Sequence, residues 1–192
     1  MKPNEYQEEA LKFASDVSRA TPENLLLQGV MGLCGETGEV CEAVLNINDV
    51  NKREHVLKEL GDVLWYISTT ASALDVSLSD VILRSYNTKH IDYHFSESLY
   101  LMGIAVSIQS YAGKAIDVVK KLTFHGHELN PENRNIIVNA ISSVFAFFNS
   151  LCVWYAFTLE EVMEENISKL SKRYPNGHFE SERSIHREEG DI

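Results

Sequence analysis

Glu36 and Glu39 stand three residues apart in Gly35-Glu36-Thr37-Gly38-Glu39, and Glu59 and Asp62 repeat that spacing in Glu59-Leu60-Gly61-Asp62. Within a helix, residues three apart share a face and lie about one turn from each other. Either pair alone is what exposed helices carry constantly. Two pairs on adjoining helices are another matter. If those helices pack antiparallel, the pairs can meet across the interface as a four-carboxylate cluster. Four converging carboxylates cannot all stay ionised without counter-charge. Magnesium would supply it, with manganese as a substitute: such an ion takes hard oxygen ligands, keeps several waters and completes its octahedron with substrate phosphates. A site of that kind orients a polyphosphate, neutralises its developing charge and supplies an activated water. The interior glycines Gly35, Gly38 and Gly61 cost helix stability, and close approach of a backbone or a ligand is the expected reason.

The elements that must position these groups all read as helices. A first runs from about Asn4 to Ser18, with Ala10, Leu11, Phe13, Ala14 and Val17 at helical spacing. Thr21-Pro22 is an N-cap with proline at the first helical position, opening a second helix that reaches about Asn46 through Leu26, Val30, Leu33, Val40 and Val44. The third is the clearest, because Leu57, Leu60, Leu64, Ile67, Ala71 and Leu74 recur at alternating three- and four-residue steps. Ser77 and Asp80 form a capping-box start for a fourth. A fifth spans about Glu97 to Leu122, followed by a loop at His125-Gly126-His127. Asn130-Pro131 caps a sixth, and Thr158 with Glu161 caps a seventh that ends before Pro175-Asn176-Gly177. Only 4 prolines and 10 glycines punctuate 192 residues, so the expected class is all-α, a helical bundle in a single domain over 1–192.

Composition narrows the function. A hydrophobic fraction of 44% supports a sizeable core, and a net charge of −11 leaves no electrostatic footprint for a nucleic-acid polymer. A small anion is still compatible when a divalent cation bridges it to carboxylates. Cys34, Cys41 and Cys152 lack CxxC spacing and lie in apolar stretches, which argues against a disulfide framework or a zinc site. The N-terminus has no signal-peptide run. The apolar segment Ile136 to Phe157 is interrupted by Asn139, Ser142, Ser143, Asn149 and Ser150 and lacks basic flanks. It reads as a core helix, with no membrane partner and a cytoplasmic location expected. His125 with His127, and His90 with His94, lack an identifiable third ligand and read as surface histidines. Trp65, Tyr66, Trp154 and Tyr155 have the spacing of core aromatics, although a base could stack on them.

The two halves align with each other. Leu57-to-Ile82 lies on Val138-to-Met163 without a gap, pairing Leu60 with Ile141, Val63 with Val144, Leu78 with Leu159 and Val81 with Val162. Gly38-Glu39-Val40 falls near Gly113-Lys114-Ala115. In this register the positions matching Glu36 and Glu39 are close to Tyr111 and Lys114, and those matching Glu59 and Asp62 are Ala140 and Ser143. The expectation is a fused pseudo-dimer of two helical repeats: 1–95 carries the metal site, 96–180 is a degenerate copy that keeps the packing stripe, and 181–192 is a polar tail.

LCGETGEVCEA followed by LKELGDVLWYISTTASAL resembles the signature of the MazG superfamily of all-α nucleoside triphosphate pyrophosphohydrolases. NISKLSKRYPNGHF resembles the segment that usually follows those helices, and YQEEALKFA resembles the leading helix. The resemblance implies cleavage between the alpha and beta phosphates of a nucleotide, giving a monophosphate and pyrophosphate. It implies that Glu36, Glu39, Glu59 and Asp62 hold magnesium, with Glu36 or Glu39 positioning or deprotonating the attacking water. It further implies that Asn166, Lys169 and Arg173 approach the substrate phosphates; the plainer alternative is a cationic last turn complementing the helix dipole. Many members of this family associate as dimers or tetramers, which implies a homodimer here unless the second half satisfies that interface internally. The chain departs from the family by a long insert before the ending, where Asn87, Lys89 and His90 look like a worn copy of it. A dUTP or phosphoribosyl-ATP pyrophosphohydrolase, and a nucleotide-binding or interaction protein that has lost turnover, stay open as alternatives.

Overall fold

Thr21 and Asn130 each open a long helix by accepting a backbone N–H with their own side chains, from Asn24 at 3.1 Å and from Asn133 at 2.9 Å, with proline next in the chain. In the computed structural model, which describes residues 1–46, 48–88 and 96–186, the chain is helical, with no strand among the described residues. The elements are α1 (Pro3–Leu11), α2 (Asp16–Arg19), α3 (Pro22–Leu45), α4 (Lys52–Ala73), α5 (Leu78–Ser85), α6 (Glu97–Phe124), α7 (Pro131–Tyr155), α8 (Leu159–Arg173) and α9 (Ser181–Ile185). The all-α expectation holds. Lys89, His90 and His94 lie outside the described residues.

One predicted helix is two. The stretch from Asn4 to Ser18 breaks after Leu11, and Ser15 restarts it by accepting the Ser18 N–H at 3.2 Å. A serine side chain that satisfies a backbone donor competes with continuation of the helix, and Phe13 and Ala14 are buried in the break. The segment expected as a polar tail begins with the short α9.

α3 and α4 form a hairpin, α6 lies along α3, and α7 pairs with α6. The core runs between them, with Leu33, Leu60, Leu64, Ile108, Ile141 and Phe148 completely buried. By length and composition alone α7 could cross a bilayer, at mean hydropathy 1.9, but 67% of that window is buried inside the bundle. It is a core helix. The cysteines are all free.

The short helices cross over. α5, which follows α4, packs on α7, while α8, which follows α7, packs on α4. Asp75 (φ 52°) ends α4 and Ala156 (φ 55°) ends α7, and they are the two non-glycine residues with positive φ among the described residues. Beyond each, the chain closes back by the same helix-terminating bond, Val76 N–H to Ala71 O at 3.0 Å and Phe157 N–H to Cys152 O at 2.8 Å. Arg134 donates to Leu74 O and Asp75 O, and Arg53 donates reciprocally to Tyr155 O and Ala156 O. The register that lays Leu57 on Val138 superposes every one of these partners. It also pairs Leu60 with Ile141, Val63 with Val144 and Val81 with Val162, all six at 0% exposure.

Candidate metal centre

α3 presents Glu36, and α4 presents Glu59 and Asp62 one turn apart. One oxygen from each carboxylate lies within 4.8 Å of the others, close enough to share an ion. Glu59 is 4% exposed. Glu39 lies outside this tight group: it is exposed at the rim of the same cavity, and its charge is felt at both Glu36 and Glu59. The cavity has a volume of about 360 Å³ and is also lined by Lys169 and Arg173.

Asp62 is the hub. Lys169 Nζ donates to its Oδ2 at 2.5 Å, and Asn166 Nδ2 donates to its Oδ1 at 3.1 Å. Asn166 is 1% exposed, and its own Oδ1 accepts the Tyr6 hydroxyl at 2.7 Å. The asparagine therefore braces Asp62 from α8, whereas Lys169 and Arg173 reach the open cavity. A β-carbon at Gly61 would lie 3.1 Å from Asn166 Cβ and 3.2 Å from its Nδ2, so the glycine of the Glu-Leu-Gly-Asp segment lets α8 dock on α4. At the other two glycines no neighbouring backbone comes close: Gly35 faces open space and Gly38 meets only the Gln109 carbonyl oxygen at 3.9 Å. Close helix contact falls instead at Gly32, where a β-carbon would lie 2.0 Å from the Tyr66 ring.

Burial first, then repulsion from Asp62, Glu39 and Glu59, pushes the Glu36 carboxyl up to about 8, against an opposing pull from Lys169. Burial and the charges of Asp62 and Glu39 also raise Glu59. Lys169 and, at Glu59, His55 pull the other way without cancelling these shifts, and a divalent cation would supply further counter-charge. The donor set, all carboxylate oxygen with nitrogen and sulfur ligands absent from the group, fits magnesium or manganese rather than a softer metal.

His55, one turn before Glu59 on α4, places Nε2 3.1 Å from Glu59 Oε1 and Nδ1 3.1 Å from Asp49 Oδ2. Its four-residue offset from Glu59 is the signal for it in the sequence, since residues four apart share a helix face. Groups that orient ligands matter nearly as much as the ligands. His55→Ala is expected to weaken Mn2+ binding about 10- to 100-fold, measured by calorimetric titration; unchanged affinity would remove His55 from the support of Glu59.

Trp65 and Tyr66 line the carboxylate cavity, with the Trp65 indole N–H anchored on Ala10 O at 2.9 Å. Trp154 packs on Tyr100, and Tyr155 on Phe157, both half-buried against the core. His125 and His127 are exposed. At the counterpart positions, Tyr111 and Ser143 of the second half border a different cavity with Arg84, Thr88 and Asn139, and no carboxylate lines it among the described residues. A Thr88–Ser143 hydroxyl contact of 3.2 Å stands there in the register of the Lys169–Asp62 pair. Asn87 is exposed at that cavity, and the residue in register with Asn166 is the buried Ser85.

Residues 24–93 match the family described as the MazG nucleotide pyrophosphohydrolase domain. The Gene 37 protein of Mycobacterium phage L5 is 42% identical over 64 residues, an alignment covering 30% of this chain and 56% of that protein. The chain thus spans little more than half the length of that curated relative. No solved structure matches.

Proposed function

We propose that this chain, which carries a MazG nucleotide pyrophosphohydrolase domain at residues 24–93, hydrolyses a nucleoside triphosphate to the monophosphate and pyrophosphate. The observation that carries the reading is the convergence of Glu36, Glu59 and Asp62, all three inside the matched segment. These residues would hold magnesium, which when bound supplies phosphate-charge neutralisation and an acidified water. Glu39, which borders the same cavity outside the tight group, would accept the proton of the attacking water. Water adds at phosphorus of the alpha–beta anhydride, the bridging P–O bond breaks, and pyrophosphate leaves. Lys169 and Arg173 meet the phosphate oxygens from α8, the first as a point charge and the second as a planar fork. Asn166, tied to Tyr6, is a positioning residue for Asp62.

The second half reads as a decayed copy of the first, and its contribution to the site is α8. The reciprocal Arg53 and Arg134 contacts, the matching left-handed caps and the exchanged short helices support this; amphipathic periodicity alone would produce none of them. Reciprocity of this kind is what a two-fold interface leaves behind when its partners are fused. α6 covers α3 from within the chain, so a homodimer is an addition to the fold and not a condition of it. The activity belongs in the cytoplasm, on free nucleotide.

Pyrophosphate release should be measured with Mg2+ across NTPs, dNTPs including dUTP, and phosphoribosyl-ATP. Release from at least one of them, abolished by EDTA, is the expected result. No release from any would leave a nucleotide-binding protein without turnover, the reading suggested by the ligand-free second half.

A further inference from the structure

Gln28 is one residue whose buried polar atom the fold leaves unsatisfied. Its Oε1 is inaccessible and has no hydrogen-bond partner among the described residues. Native structures seldom leave a buried carbonyl unpaired without a use for it. Gln28 stands on the face of α3 that carries Gly32, Glu36 and Glu39 in the following turns, since those positions fall on one side at 3.6 residues per turn. Eight residues of rise place it about 12 Å from Glu36 along the helix axis. That is the length scale separating the phosphates of a nucleotide from the edge of its base.

Gln28 also joins two cavities. It lines the carboxylate cavity and a second one of about 430 Å³, and Ser15 and Tyr66 are shared with it. The second cavity is bordered by Leu27 and Met31, and its wall is the Tyr66 ring pressed against the backbone at Gly32. A mostly apolar recess with an aromatic wall and the unpaired Gln28 amide, the Asn24 amide being tied to Val17 O, opens beside an anion site and has the character of a base pocket.

We propose that Gln28 is the specificity residue of this enzyme: rotation of its terminal amide brings the carbonyl, closed off and unpaired in the ligand-free chain, to an N–H on the edge of the substrate's base, and the base packs against Tyr66. A glutamine amide offers a donor beside an acceptor and complements a base edge that does the same. The inference rests on the pyrophosphohydrolase reading, and its test separates the two.

The test compares the wild-type chain with Gln28→Met, which keeps length and removes the amide. Calorimetry with Mg2+ would follow the alpha,beta-methylene analogues of ATP, GTP, CTP and UTP, with inorganic tripolyphosphate as the base-free probe. The analogue that wild type binds best should lose about tenfold in affinity, the equivalent of one hydrogen bond. The ratio of its affinity to that of tripolyphosphate should fall by the same factor. Melting temperature should rise by roughly 2–4 °C, because an unsatisfied buried carbonyl is gone. A purely structural glutamine would lower it. Equal weakening of both probes, or no weakening, would overturn the assignment, and so would a wild type that binds tripolyphosphate as tightly as any nucleotide analogue. Pyrophosphate release by wild type is scored separately: release that survives unaltered in Gln28→Met overturns only the role of Gln28, whereas its absence in wild type overturns the reading beneath it.

Discussion

Asp62→Asn should reduce pyrophosphate release by about 10²- to 10³-fold, the scale of losing one preorganised charge-stabilising group. The substitution keeps shape and removes charge at the point where most of the site's contacts meet. Lys169, at 10% side-chain exposure, loses its carboxylate, and Asn166 is left with an amide facing an amide. Removing one partner of a largely buried pair is destabilising. Against that, Glu36 and Glu59 are freed of a repelling neighbour. These terms oppose each other, so a net loss of about 1–3 kcal/mol is expected, well short of unfolding the chain. Circular dichroism should show an intact helical protein whose activity is gone. Ser143→Ala, in the same register of the second half, should leave release unchanged. Wild-type turnover in Asp62→Asn would remove Asp62 from the chemistry, and activity lost only in proportion to unfolded protein would make its role structural.

Glu36→Gln should move stability and function in opposite directions. Glu36 titrates at about 8 because it is buried among other carboxylates, whereas an unfolded glutamate titrates near ~4.3. Between those values the native protein holds more protons than the unfolded chain, so stability of the metal-free protein declines as pH rises. The contribution is fully present below the unfolded value and is lost as pH climbs through about 8. Glu59 is raised as well and acts with the same sign. Glutamine removes the Glu36 part of this slope. Metal-free Glu36→Gln and wild type should therefore melt alike near or below pH ~4, and the variant should melt higher at pH 8. Subtracting the two profiles cancels surface groups such as Asp117, which Lys120 and Lys121 hold down to about 2. In the same variant Mn2+ affinity and pyrophosphate release should fall by about 10²-fold or more. Parallel melting profiles would show that Glu36 is not the titrating group. Retained cation affinity would take it out of the ligand set.

The features legible in the sequence were those written locally. The caps at Thr21 and Asn130, each followed by proline, the cap at Ser77 and the capping box at Thr158 start helices where expected, because each needs only a side chain within reach of its own backbone. The stripe through Leu57, Leu60 and Leu64 fixed the face of α4, and with it the side on which Glu59 and Asp62 emerge. Ser15 shows the limit: a serine beside apolar residues at helical spacing reads as helix until burial of Phe13 and Ala14 makes the break favourable.

Tertiary structure decided what depends on distant segments. It drew Glu36 into a tight group with Glu59 and Asp62 while leaving Glu39 at the rim, a distinction their identical spacing cannot carry. It turned Asn166 inward as a brace between Tyr6 and Asp62, and brought His55 and Asp49 behind Glu59. It also stranded the Gln28 carbonyl beside Tyr66. Periodicity and capping are properties of one helix and its neighbours in the chain. Which atoms are left without water, and which charges must share a cavity, is fixed only when helices far apart in sequence are packed together.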